Sequence, residues 1–446
     1  MVAARPATII VRFIIHRGDA MMHRAHTTGH DFAKGMQLWL TLGVCAMGYF
    51  VDIYDLILFS IVRLESLRDI GVQANNMLGA SELILNAQMI GMLLGGVLFG
   101  VLADKRGRMS TLMASILLYS IMNIANAFVS SVPVYAVFRF FSGIGLAGEL
   151  GVAITLVTEI MPKKSRGFGT TIVATMGILG AVVAYAVHTT FSWRIAFIAG
   201  GVLGLLLLLL RVRVHDSRMF NETASRNVKR GSLLMLLARK RFLVYVGSIA
   251  IGLPVWYVVG ILVTFSSEFA VERGVASTVI PGLSVMWTYI GLAVGDLMSG
   301  LLSQALQSRK KVILIFLVAT AGLVWWFVSS SNTSAETVYL QCALLGVTTG
   351  YWAVFVTTAA EQFGTNLRAT VATTVPNFVR GGLVPSLLLF HYLRDGSTTG
   401  ITWLGLQARP LTSSALVVGV VSITLALIGW MILKETYGRD LDYVEI

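Results

Sequence analysis

Long apolar runs alternate along this chain with short polar breaks, most of them basic. A helix needs about 20 apolar residues to cross the hydrocarbon of a bilayer, and an open strand cannot cross because its backbone groups would go unpaired. Roughly twelve stretches meet the helical requirement. They start near Gln37, Ser81, Ser110, Pro133, Gly167 and Ile195, then near Phe242, Val279, Val312, Thr337, Ala369 and Ser413. The pattern predicts an all-α polytopic membrane protein with twelve transmembrane helices.

The polar breaks set orientation and boundaries. With the N-terminus inside, the breaks containing Asp104 to Arg108, Lys163 to Arg166, the segment from Arg211 to Lys240, and Arg309 to Lys311 all fall on the cytoplasmic side, with both tails. Outer loops then hold only Arg63, Arg68, Arg194, Arg273, Arg394 and Arg409, and only Arg139 and Arg380 fall within spans. That asymmetry is what the positive-inside rule expects. The predicted organisation is an N-terminal tail over 1–36, a six-helix bundle over 37–212, a basic cytoplasmic linker over 213–240, a second six-helix bundle over 241–435 and a tail over 436–446. The halves repeat weakly: Gly100-Val-Leu-Ala-Asp104 is echoed by Gly300-Leu-Leu-Ser-Gln304, and Glu159 with Arg166 by Glu361 with Arg368 at nearly the same offset. Two such echoes favour a duplicated, pseudo-symmetric transporter architecture.

Composition narrows the class. Of 446 residues, 56% are hydrophobic and 13% charged, against roughly a quarter charged in a soluble domain. The net charge of +12 would suit a nucleic-acid partner only if it formed a patch; here it is split among the breaks, so the expected partner is the lipid bilayer. Cys45 and Cys342 lie in separate apolar runs and read as buried free thiols. No metal-ligand spacing, nucleophile elbow or ATP-binding motif is present, so no enzyme activity and no cofactor are expected and any transport is gradient-driven.

Gly100-Val-Leu-Ala-Asp104-Lys105-Arg106-Gly107-Arg108 resembles the signature between helices 2 and 3 of the major facilitator superfamily. Arg139-Phe-Phe-Ser-Gly143-Ile-Gly145-Leu-Ala-Gly148-Glu149 resembles the helix 4 pattern of its sugar porters and metabolite:proton symporters, Glu159-Ile-Met-Pro162-Lys-Lys-Ser-Arg166-Gly167 the loop that follows, and Lys434-Glu435-Thr436 their C-terminal ending. Gln304 departs from the pattern by replacing the acid in the second copy of the signature. The resemblance implies two six-helix bundles that rock by alternating access, with Gly100, Asp104, Arg108, Glu159, Arg166, Glu361 and Arg368 forming a cytoplasmic gate. Gly91, Gly95, Gly96 and Gly100 are spaced to line one face of span 2 and permit close helix approach.

Ionisable groups within spans are costly and are candidates for function. Asp52 and Asp55 stand one turn apart on span 1. Counting ~1.5 Å per residue from mid-span, Asp55 and Arg139 lie at matching depth, about 7 and about 10 Å outward. The resemblance to proton-coupled sugar porters puts an aspartate–arginine pair at the same two positions, so Asp55, Arg139 and Asp52 are the candidate proton-coupling residues. A static ion pair is the competing reading. Arg380 falls near mid-span 11, where either a substrate carboxylate or a pair with Glu149 or Asp52 would satisfy it. With Glu149, Asn377, Trp256, Tyr257, Trp287 and Trp352 it makes up the candidate substrate site, although aromatic residues in spans also serve as packing and interface anchors.

The expected protein is a monomeric secondary transporter of a bacterial inner membrane. It would carry a small metabolite, such as an organic acid or amino acid, together with protons. Proton-driven efflux of an amphipathic compound, or a non-transporting sensor with the same fold, are the alternatives.

Overall fold

The computed structural model describes residues 29–161, 166–211, 235–236, 238–396 and 409–438, and across them the chain forms helices and short turns with no strand. The linker expected over 213–240 therefore lies almost wholly outside the described residues, as do the tails before residue 29 and after residue 438.

Helix α1 runs Gly29–Asp69, beginning within the stretch expected to be tail. It is followed by α2 (Met77–Arg106), which a short 3-10 turn at Ala74–Asn76 precedes, and α3 (Arg108–Asn126). Span 4 consists of α4 (Val132–Leu146) and α5 (Glu149–Ile160), and spans 5 and 6 are α6 (Arg166–Thr190) and α7 (Trp193–Arg211). In the second half, α8 (Arg239–Tyr257) continues as a π-helical turn, Val258–Val263, and a short α9 (Ser266–Glu272). Helices α10 (Pro281–Leu306) and α11 (Arg309–Ser329) are spans 8 and 9, and span 10 is α12 (Ala335–Thr349) with α13 (Trp352–Glu361). Span 11 is α14 (Thr365–Gly381) with α15 (Leu383–Gly396), and span 12 is α16 (Pro410–Ile432).

Local chemistry places these boundaries. Proline occupies the first turn of α4, α10 and α16, where its missing N–H costs nothing. Ser308 and Ser334 cap α11 and α12 by accepting the backbone N–H of Lys311 and Thr337. Eleven spans among the described residues are long and apolar enough to cross a membrane. The twelfth, α14 with α15, is not among them because it carries Thr370, Thr373, Thr374, Asn377 and Arg380 on one element. All five are buried, so the polarity that lowers its hydropathy faces the protein and not the lipid.

The fourth and tenth spans break at corresponding places, Gly148 and Gly350, and α5 and α13 start anew beyond the breaks. Such discontinuities present helix N-termini inside the membrane, where transporters place their sites. Outward-facing leucine and valine, among them Leu98, Leu209, Leu301 and Val318, form the lipid surface. Cys45 and Cys342 are buried free thiols.

The C-terminal ending is a clamp at the basic end of the second bundle, the end that carries Arg309 and Lys310. Glu435 accepts from the Ser308 hydroxyl and from the backbone N–H of Arg309 and Lys310 at 3.0 and 3.2 Å. Lys310 donates to the Leu433 carbonyl at 2.6 Å while lying against the Trp430 ring. Partial burial alone would raise the Glu435 pKa, but the Ser308 hydroxyl and the N–H groups of Tyr437, Arg309 and Lys310 bring it down to about 2. A depressed folded-state pKa stabilises above the ordinary carboxylate range, and that contribution disappears as pH falls from there towards about 2. Glu435→Ala removes an N-terminal cap, so a cost of about 1 kcal/mol is expected. Thermal unfolding in detergent checks it: the wild-type advantage over the variant should be present at neutral pH and shrink on acidification.

Candidate functional site

Asp52 and Arg380 face each other between the two bundles. The Arg380 Nη2 lies 3.9 Å from the Asp52 Oδ2, and both side chains are buried. The guanidinium sits 5.8 Å from the ring centres of both Trp256 and Trp352, and its Nη1 donates to the Asn377 Oδ1 at 3.3 Å. Both Asp52 carboxylate oxygens, the Arg380 Nε and the Trp352 Nε1 are buried without a hydrogen-bond partner. Tyr49 and Tyr289 lie within electrostatic reach of the pair. Donors, acceptors and two indole faces thus converge on one place, which is how small-molecule sites are built. Arg380 can bind a carboxylate through its planar fork while the indoles flank the cation.

A residue from span 8 holds one of those indoles in place. The Asp296 Oδ1 accepts the Ala353 N–H at 3.0 Å, at the start of α13, so the helix that presents Trp352 is capped from α10.

Contacts between the bundles lie on both sides of this cluster. Toward the basic end, the Asn377 amide donates to the Ala147 carbonyl at 2.8 Å. A Cβ on Gly96 would come 2.6 Å from the Asn377 Cβ, and one on Gly151 would come 2.3 Å from the Thr373 Cα. Toward the opposite end, Arg63 pairs with Glu268 at 2.6 Å and donates to the Thr264 carbonyl, while Arg394 and His391 bond Glu82 at 2.7 and 3.0 Å. Burial works to raise the Glu268 pKa, but Arg63 and the Ser267 hydroxyl outweigh it and hold the carboxyl below its usual range.

The structure alters several sequence expectations. Asp55 and Arg139 are neighbours, but they do not form the expected ion pair. Arg139 donates to the Asp55 backbone carbonyl at 3.0 Å, to Asn123 at 3.3 Å and to Gln88 at 3.2 Å. Both Asp55 carboxylate oxygens are buried without a hydrogen-bond partner, in space that a side chain on Gly200 would fill. Glu149 is not paired with Arg380 and does not join the substrate cluster, because Arg211 takes both of its oxygens. Tyr257 turns away to donate to the Ala415 carbonyl at 2.7 Å, packing α8 on α16, and Trp287 is 40% exposed on the outer surface of α10. Asn377 spans the bundles and Arg380 at once, so it belongs to the closure as well as to the cluster.

The glycine ladder of span 2 serves two faces and not one. Gly91 and Gly95 meet the Phe140 and Ile144 backbone of α4, whereas Gly96 and Gly100 meet Asn377 and Thr374 of α14. In the expected gate, the side chains of Asp104, Arg108, Glu159 and Arg166 lie outside what the structure describes. Glu361 pairs with Arg309 at 2.8 Å, and Arg368 donates to the Phe363 carbonyl at 3.4 Å. Gln304 accepts from the Tyr437 hydroxyl at 3.1 Å.

Sequence reasoning missed Arg211, Glu268 and Tyr49, and assigned Asp296 no role. Arg211 reads as the start of the basic break from Arg211 to Lys240, and only its pairing with a buried glutamate marks it as internal. Asp296 was visible as an acid within a span but had no evident partner, because that partner is a backbone N–H.

Two helical bundles with interrupted helices and a buried charge cluster at their interface define a polytopic membrane transporter. The chain belongs to the Major Facilitator Superfamily, whose sequence profile matches residues 38–385. It is 26% identical over 385 residues to the niacin transporter NiaP of Acinetobacter baylyi, covering 79% of this chain and 86% of that one. Over 421 residues it is also 26% identical to a Cupriavidus pinatubonensis protein named "Probable 4-methylmuconolactone transporter", covering 91% and 92%. The fold is that of the proton:xylose symporter XylE of E. coli, with a TM-score of 0.70 and 17% identity over 92% of this chain and 98% of that one. The protein is therefore a small-metabolite transporter and not an enzyme.

Proposed function

We propose that the protein is a proton-coupled symporter for a small monocarboxylate, bound between the bundles with its carboxylate on Arg380 and its apolar body between Trp256 and Trp352. The observation that carries this reading is a buried arginine at the bundle interface whose Nε, like the Trp352 Nε1 beside it, has no partner. The similarity to transporters named for niacin and for 4-methylmuconolactone supports the substrate class. The likeness of fold to XylE, named a proton symporter, supports proton coupling by alternating access. Asp52 carries the coupled proton in this reading, Asp55 one turn along α1 is the alternative carrier, and Arg139 keeps Asp55 at its depth. Gly100, Asp104, Arg108, Glu159, Arg166, Glu361 and Arg368 close the cytoplasmic side. The protein works as a monomer in a bacterial inner membrane, with six helices on either side of the basic linker and both termini cytoplasmic, as the distribution of Lys and Arg supports.

Counterflow in proteoliposomes tests the substrate class. Preloaded niacin should drive uptake of labelled niacin, whereas nicotinamide, which has the same ring and a neutral amide, should compete at least tenfold more weakly. Equal competition by the amide refutes the carboxylate site. Asp52→Asn should abolish accumulation driven by a pH gradient while leaving counterflow; loss of both together removes Asp52 from coupling.

A further inference from the structure

Building on that carboxylate site, we propose that Asp52 occupies the place of the substrate's carboxylate on Arg380. Substrate binding then displaces Asp52, which must take up a proton.

Among the described residues, two ion pairs have both side chains fully buried, and they differ in character. Glu149 and Arg211 are locked through two contacts that use both carboxylate oxygens. Asp52 and Arg380 stand at 3.9 Å with neither carboxylate oxygen nor the Arg380 Nε hydrogen-bonded. The first pair joins α5 to α7 within one bundle. The second reaches from α1 to α14, across the surface along which the bundles must separate. A loose pair at a moving interface, with donors to spare, fits a partner that can be replaced.

Charge balance gives the consequence. When the site is empty, Asp52 neutralises Arg380 and the buried centre carries no net charge. When a substrate carboxylate takes Arg380, Asp52 is left as a buried anion. No neighbour can compensate it. The charges acting on Asp52 besides Arg380 come from Glu149 and Arg211, which are bound to each other. Asp55, one turn along α1, is itself an acid, and Arg139 is held by Asn123, Gln88 and the Asp55 carbonyl. The other ionisable groups nearby are the phenols of Tyr49, Tyr289 and Tyr119 and the carboxyl of Asp296, which lies within electrostatic reach of Tyr49 and accepts the Ala353 N–H; none of them supplies a positive charge. On α6, His188 is at the far end beside Glu65. A proton from the water on the entry side therefore adds to an Asp52 oxygen and leaves from it on the exit side. The loaded and empty sites are both neutral, whereas substrate without proton and proton without substrate each leave one buried charge and block the passage of the carrier.

The test is equilibrium binding of niacin to the purified full-length protein between about pH 8 and about pH 6. One linked proton predicts that affinity tightens about tenfold per pH unit until Asp52 is already protonated in the empty protein. Calorimetry in two buffers of different ionisation enthalpy should read close to one proton taken up per niacin. Asp52→Asn should bind niacin with no pH slope and no proton uptake. Asp52→Ser, which also lacks the ionisable group, should do the same if the amide variant fails to fold. A flat wild-type profile overturns the proposal. So does a slope retained in the Asp52 variants, and one that vanishes in Asp55→Asn instead assigns the proton to Asp55. If neither niacin nor a panel of other monocarboxylates binds the wild type at any pH, the substrate reading fails together with the inference that rests on it; binding without a slope overturns the inference alone.

Discussion

Arg380→Lys is expected to weaken niacin binding by at least tenfold while leaving the protein folded and inserted. Lysine keeps the positive charge opposite Asp52, so the electrostatic balance of the interface survives. It loses the planar fork, however, and with it both the second hydrogen bond to a carboxylate and the fit between the Trp256 and Trp352 rings, each 5.8 Å from the guanidinium. A charge-assisted hydrogen bond is worth about 1.5–3 kcal/mol, and losing one at the low end of that range already corresponds to a tenfold weaker complex. Arg380→Ala should go further and abolish counterflow, since it removes the anion's partner and leaves Asp52 alone in the interior. Thermal-shift titration and counterflow on protein of equal yield check both variants. Wild-type affinity in Arg380→Lys would remove the carboxylate from Arg380 and leave the indoles as packing.

The fold and the site differ in how far they could be read from the chain. Apolar runs and basic breaks are enough to place the spans, because length and hydrophobicity are what the bilayer demands of a helix. Span 11 is the weakest such signal, yet the expected start near Ala369 falls within α14; its polar residues read as a candidate substrate site, and Arg380 does face a buried cluster with Asp52, Trp256 and Trp352. The site partners were harder to read. Span counting puts Asp55 and Arg139 at one depth, and they do meet, but depth carries no information about side-chain direction, so backbone contact and ion pair could not be told apart. The aromatic candidates divide for the same reason: neighbouring positions 256 and 257 on one helix point to opposite partners, Arg380 and Ala415. Asp52 with Arg380 was one of the open alternatives, and only the tertiary arrangement, which gives Glu149 to Arg211, decides between them.

The Glu149–Arg211 pair leads to the second large effect, one on stability. Both side chains are fully buried, and the guanidinium spans the two carboxylate oxygens. Removing either partner leaves an uncompensated charge in the interior, at an expected cost of about 3–5 kcal/mol. Glu149→Ala and Arg211→Ala should therefore each lower thermal stability far more than Glu435→Ala, whose carboxylate lies near the surface. The double variant should cost much less than the two single variants together, because it removes both charges. Gly48 supplies an independent check from a residue that carries no charge. A Cβ there would fall 1.9 Å from the Arg211 Nη2 and 2.0 Å from the Glu149 Oε1, so Gly48→Ala should displace the pair and destabilise the wild-type protein. In the Glu149→Ala/Arg211→Ala background the same substitution meets empty space and should be nearly neutral. If Gly48→Ala costs the same in both backgrounds, the loss comes from packing of α1 and not from the ion pair.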